Sequence, residues 1–310
     1  MNKSANDAQA DQPSVATVPA TAITVRAFRF DFPETIDPVW VPGNPWRSHF
    51  YNGVSLTMPY LEPYLVQTMR EAMQQVEDPA LLADMRGFNG QEAAHYRCHR
   101  RLNEVLRHSG HPQFAQVEKR IEASYQRLKT RSLRTRMAYS AGFECMTCGF
   151  TRWMIGRRRQ LFANAQPHVT SFWLMHMVEE TEHKTVAFDA YQACFGDYWA
   201  RAFGVLHGSF GVLGLGVQGM WSALRREGHL SSPLGVLRFL REIGSVMVNV
   251  GPALLRALRP GYDPRDEFDP DWVDEWVAAF AAHAEGTDAP LPLIDTTDGV
   301  MAVPFGRASS

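Results

Sequence analysis

The chain has 310 residues, 45% of them hydrophobic, and a formal net charge of -2. That length and apolar share suit one large domain or two smaller ones with a sizeable core, and so small a charge gives no reason to expect nucleic acid as a partner. The four cysteines, Cys98, Cys145, Cys148 and Cys194, fall in helix-like segments and do not read as a disulfide framework, so a reducing, cytoplasmic location is expected.

The first 22 residues are rich in Ala, Asp, Gln and Pro and lack an apolar h-region. Residues 1–24 therefore read as a disordered lead, not a signal peptide. Residues 25–52 hold Pro33, Pro38, Pro42 and Pro45 among aromatics and read as an irregular arm lying on a later domain. Helical periodicity dominates from Met58, over about 58–76, 80–108, 116–129, 135–162 and 169–195. Alternation of period two is scarce, so the expected fold class is all-α.

Residues 202–224 carry no formal charge, a length in the transmembrane range. Six glycines, His207 and Gln218 speak against a span, and the second apolar run at 243–255 is too short to cross. Three readings stand: apolar helices buried on the main bundle, interfacial membrane contact favoured by Arg225, Arg226, Arg238 and Arg241, or a true span. Non-spanning helices that cover the bundle or touch lipid are the expectation, which adds membrane association to the location. The chain then divides into the lead, a metal-binding helical bundle with its arm over 25–200, an apolar helical annex over 201–285 and a loosely ordered tail over 286–310.

The chemistry lies in two blocks. In GQEAAHYRCHRRLN, residues 90–103, the side chains of Glu92, His95 and His99 fall within about 60° of one helical face. In HMVEETEHK, His176, Glu180 and His183 repeat that spacing in mirror order; Glu179 also sits one turn from both histidines, whereas Glu182 points elsewhere. Two buried sets of a carboxylate and imidazoles would cost several kcal/mol per unpaired charge, a cost that a metal ion offsets. Dinuclear carboxylate bundles take a Glu-x-x-His from each of two helices and a lone Glu from each of two others. Glu62 in MPYLEPYLV and Glu144 in SAGFECMTCGF supply the lone carboxylates, each in an apolar stretch. The order Glu, Glu-x-x-His, Glu, Glu-x-x-His is that of a ferritin-like four-helix bundle, here with extra apolar helices packed on it. The expected cofactors are two metal ions, iron first, with manganese or zinc as alternatives. His99 and His176 exceed the usual four-Glu, two-His set and are either ligands or groups that hold a ligand carboxylate.

SLTMPYLEPYLV, FNGQEAAHYRCHRRLN and HMVEETEHKTVAFDAY resemble the signature blocks of a bacterial family described as predicted metal-dependent hydrolases, and RPGYDP at 259–264 resembles its later Pro-Gly-aromatic block. The resemblance covers about 25–275 and implies hydrolysis; Leu61 departs from it, standing where a glycine is expected. The donor set itself favours an O2-dependent di-iron oxidoreductase acting on a small apolar molecule, with an external electron donor. Hydrolysis by a metal-bound water and non-catalytic metal binding are the alternatives. No catalytic residue beyond the metal ligands is assigned. A membrane surface and a second copy of the chain complete the expected partners. Among weaker signals, Cys145 and Cys148 read as small core residues, and Asp189 as an acceptor for a histidine N–H or a surface residue. The arginines of GRRRQ read as a solvated helix end. Phe172, Trp173, Trp153 and Phe188 read as core.

Overall fold

The computed structural model describes residues 23–26, 30–284 and 291–305. Among these residues the regular structure is helical and no strand occurs. The expected lead lies outside the described residues except for its last two positions.

Helix α1 (Pro45–Ala72) begins well before Met58 because Pro45 takes the first helical position, where its missing N–H costs nothing, and the Asn44 side chain accepts from the Arg47 N–H. The C-terminal part of the expected irregular arm is thus helical. Pro59 lies inside α1 and leaves the Ser55 carbonyl without its helical donor. Asn103 of α2 (Pro79–His108) supplies one through its side-chain amide at 2.9 Å, so the helix continues and is tied to its neighbour.

Helix α3 (Phe114–Lys129) connects to α4 (Leu133–Gly156), which Ser132 caps. The apolar stretch read as one helix over 135–162 breaks at Arg157, and the short α5 (Arg158–Phe162) follows. The stretch read as one helix over 169–195 also breaks: α6 (Pro167–Glu182) ends with His183 as its C-cap, and α7 (Val186–Cys194) starts afresh. No glycine or proline marks that second break.

Helix α8 (Tyr198–Arg226) lies along both α1 and α4, and α9 (Pro233–Ala257) packs on α4. The approach of α8 is at backbone distance. A Cβ at Gly204 would stand 2.0 Å from the Ala138 carbonyl of α4, and one at Gly53 would stand 2.1 Å from the Gly216 carbonyl. Gly204, Gly208, Gly216 and Gly219 are therefore the packing face of α8. By length and composition α8 could cross a bilayer, yet 44% of that window is buried against the bundle.

After α10 (Asp271–Ala284), residues 291–305 have no regular structure but are not loose. Ile294, Met301 and Phe305 are buried, and Arg158 donates to the Met301 carbonyl while Arg159 donates to that of Gly299. The arginines of the α4–α5 break thus anchor the tail, which corrects the reading of a solvated helix end. Asp189 pairs with Arg265 and not with a site histidine. Phe172, Trp173, Trp153 and Phe188 are buried, as are Cys145 and Cys148, which are free thiols.

Candidate metal centre

Four helices aim their donors at one interior point: Glu62 from α1; Glu92, His95 and His99 from α2; Glu144 from α4; His176 and Glu180 from α6, with His183 at its cap. None of the eight is more than 3% exposed. Seven of them fall into two groups of potential ligand atoms, each within 4.8 Å: Glu92, Glu144, Glu180 and His183, and beside it Glu62, His95 and His176; His99 is in neither group.

The protons on His183, His95 and His99 can be traced from fixed partners. The Gln91 amide donates to the Thr24 carbonyl and to Glu182, so its oxygen must accept. That oxygen lies 2.8 Å from His183 Nδ1, which therefore carries the proton and leaves Nε2 with a bare lone pair. Around Nε2 stand three carboxylate oxygens, of Glu92 at 3.4 Å, Glu180 at 3.5 Å and Glu144 at 3.7 Å. With the carboxyls ionised, four acceptors facing one another repel, and either protons on the carboxyls or a metal cation between them relieves the repulsion. Donors about 2.0–2.2 Å from one ion stand roughly 3–3.5 Å apart, close to the spacing found.

His95 Nε2 lies 2.7 Å from Glu179 Oε2, and Arg26 holds the other oxygen of Glu179 at 3.2 Å. The His95 proton thus sits on Nε2, and Nδ1 faces Glu180 Oε1 at 3.8 Å without a hydrogen-bond partner. Glu179 is outside both ligand groups, and its place is to orient His95. His99 Nδ1 lies 2.9 Å from Ser55 Oγ, whose own proton goes to the Asn103 oxygen. His99 therefore donates there and directs the Nε2 lone pair inward, 3.0 Å from His176 Nδ1 and 3.7 Å from Glu62 Oε1. His176 Nε2 lies 2.9 Å from Glu180 Oε1. Glu180 thus turns one oxygen to each group.

Both oxygens of Glu62 and of Glu144, one of Glu92, one of Glu180, and His183 Nε2 find no hydrogen-bond partner. Burial, reinforced by neighbouring carboxylates, pushes Glu62, Glu92 and Glu144 well above the ordinary carboxylate range. Burial pushes His95 down to about 3, His176 down to about 4, and His99 well below its usual value. Burial also acts to raise Glu180, but the adjacent His183 and His176 outweigh it and hold Glu180 well below the usual value.

The residues that hold these donors in place, Gln91, Ser55, Asn103 and Arg26, carried no signal in the sequence. Arg26 belongs to a strap, residues 23–26, that crosses α2 where Gly87 and Gly90 make room for Ile23 and Val25. Its guanidinium also pairs with Glu182.

A family model described as predicted metal-dependent hydrolase matches residues 24–267. The chain belongs to that family. No curated protein and no solved structure matches it. Both ligand groups of this family member lie inside the matched span.

A third group, His49, His111 and Glu227, also has ligand-like spacing. Its protons place it differently. Trp40 Nε1–H can only donate and goes to Asn52 Oδ1, so the Asn52 amide donates to His49 Nδ1. The His49 proton is then on Nε2, 2.9 Å from Glu227. A hydrogen bond satisfies both atoms, and no bare lone pair faces the carboxylate.

Proposed function

We propose that the chain is a dinuclear metal enzyme and that its reaction is the hydrolysis named by its family. The observation that carries the metal reading is the bare Nε2 of His183 among three buried carboxylate oxygens. Glu92, Glu144 and His183 would hold one ion, Glu62, His95 and His176 the other with His99 beside them, and Glu180 would bridge the pair. Donors arrive from α1, α2, α4 and α6 in the chain order of a ferritin-like bundle, which supports that finer description of the fold.

Ions held there would supply Lewis acidity and favour the deprotonated form of water near neutral pH. The protein's own part is positional. Gln91, Glu179 and Ser55 fix the protons of His183, His95 and His99 on the nitrogens that face away from the ions. A groove between α1 and α2, lined by Gln67, Arg70 and Tyr96, reaches Glu92 from the surface and offers water an entry. From the other side, a narrow apolar cavity bordered by Met58, Phe143, Phe150 and Leu213 ends at His176 and Glu180 and suits an apolar acyl or alkyl group.

That same cavity supports a second reading, an O2-dependent oxidation of an apolar molecule by a di-iron centre. Nearly all of its exposed lining is apolar, and the donor set is richer in carboxylate than a zinc hydrolase needs. One set of measurements separates the two. The purified protein is stripped and reloaded with zinc, manganese or, anaerobically, ferrous iron. It is then assayed for cleavage of chromogenic esters and phosphoesters and for O2 uptake. Metal-dependent cleavage without O2 uptake supports hydrolysis. O2 uptake with ferric charge-transfer absorption and no cleavage overturns hydrolysis in favour of oxidation. Absence of tight metal binding overturns both.

A further inference from the structure

Helix α8 turns a glycine-rich face inward and α9 a face that includes Phe239, Val246, Val250 and Ala253, and both leave large apolar side chains outward. On α8 the exposed side chains include Trp199, Phe203, Leu206, Phe210 and Trp221, mostly three or four residues apart, with Trp199 79% exposed. On α9 they include Leu234, Leu237, Leu240, Val248 and Leu255, with Val248 75% exposed. The two rows meet where Trp221 packs on Phe239 with ring centroids 5.4 Å apart, and exposed apolar side chains in this number mark an interaction site.

The charges along the two helices are predominantly of one sign. Between Tyr198 and Arg259 the exposed cations are Arg225, Arg226, Arg238, Arg241 and Arg259. The acidic residues of that stretch are both engaged: Glu242 is buried against Arg47, and Glu227 is turned to His49, His111 and His229. The whole chain has a net charge of -2, so this face carries an excess of positive charge that the rest of the molecule offsets.

We propose that the α8–α9 face docks on an anionic lipid bilayer, with both helices lying in the plane of the interface. Tryptophans at both ends of α8, leucines between them and arginines along the edge form the composition of an interfacial helix pair. A spanning α8 would have to leave Gly53 and Gly142, against which its backbone is pressed, so the helix stays on the bundle. Self-pairing is disfavoured by the same charges. A two-fold dimer through this face sets arginines against arginines, and the one exposed carboxylate of the stretch, Glu227, is already engaged by three histidines. Val212 and Leu213, on the inner side of α8, line the apolar cavity that reaches His176 and Glu180. The docked face and the cavity therefore share one helix, although the docking does not depend on which reaction occurs.

The test is sedimentation of the metal-loaded protein with vesicles of phosphatidylcholine alone and of phosphatidylcholine mixed with phosphatidylserine. Tryptophan quenching by brominated lipid is read in parallel. Binding to the mixed vesicles, released by high salt, is expected. Arg225→Glu combined with Arg241→Glu should weaken it by roughly fivefold or more per arginine. Phe203→Ser combined with Phe210→Ser should abolish quenching while metal content and circular dichroism stay unchanged. Leu237→Ser combined with Val248→Ser gives an independent set on α9, should the first pair misfold. No binding to the mixed vesicles, or equal binding to both vesicle types that no variant alters, overturns the proposal. So does a stable dimer that the Phe203→Ser and Phe210→Ser pair dissociates in a protein that does not sediment with vesicles.

Discussion

His183 leaves α6 at its cap, and that departure lets one imidazole meet oxygens from α2, α4 and α6 at once. Its removal tests the proposed centre directly: His183→Ala should lose most bound metal, read as metal per chain after dialysis. The neighbouring pair Glu179 and Glu180 gives a sharper contrast. Glu180→Gln removes the bridging charge and should lose metal as His183→Ala does. Glu179→Gln keeps an acceptor for His95 and should retain metal at saturation, with affinity lowered by roughly tenfold. Equal losses in the two variants would contradict the assigned roles. The sequence could not separate these glutamates, because both sit a turn from His176 and His183. Arg26 and His95 separate them, and Arg26 comes from a distant segment with no motif of its own. Helical spacing marked the six candidate donors of the two histidine blocks, and Glu62 and Glu144 were marked as lone carboxylates in apolar stretches, which stand out against their neighbours. The supporting Ser55 and Asn103 do not stand out, because any helix may hold such residues for local reasons.

At the scale of elements, the fit of α8 against α1 and α4 depends on missing Cβ atoms. Gly204→Val forces a side chain into the Ala138 carbonyl, where backbone and not a flexible side chain must yield. A loss of about 1–3 kcal/mol or more is expected in urea unfolding. Gly214 has nothing within 4 Å of its would-be Cβ, so Gly214→Ala should leave stability unchanged or raise it by about 0.5–1 kcal/mol. Similar losses in both variants would mean that α8 does not pack as described. In the sequence these glycines speak only against a span; the partner backbone that needs them is remote in the chain. Element existence was legible from periodicity, and boundaries were less so. The start of α1 hides among prolines that usually signal loops, and the break at His183 has no punctuating residue.

For the molecule as a whole, the proposed centre would tie stability to metal and pH. Glu62, Glu92 and Glu144 have folded pKa values raised above the unfolded value, so their contribution is fully present below about 4.5 and is lost as pH rises through the folded values. The depressed histidines His95, His99 and His176 act oppositely, but their contribution is complete above the unfolded value of 6.5 and flat from there. Glu180, also depressed, is likewise flat there. Among these groups of the centre, the raised carboxylates are the ones whose contribution can still fall as pH rises above 6.5. The metal-free protein should therefore lose thermal stability as pH rises from there, while the metal-loaded protein should not. Melting curves across that range with and without chelator check this, and parallel pH profiles would count against a cation among the carboxylates.

The strap at residues 23–26 lies across α2, pins Gln91 through the Thr24 carbonyl, and closes on α6 through Arg26, Glu179 and Glu182. Its consequence is kinetic. An ion held at the proposed centre would need this short segment to lift before leaving on that side, which would give it an escape rate that donor geometry alone does not determine. A chain shortened to begin at Phe30 would surrender its metal to a chelator faster than the full chain.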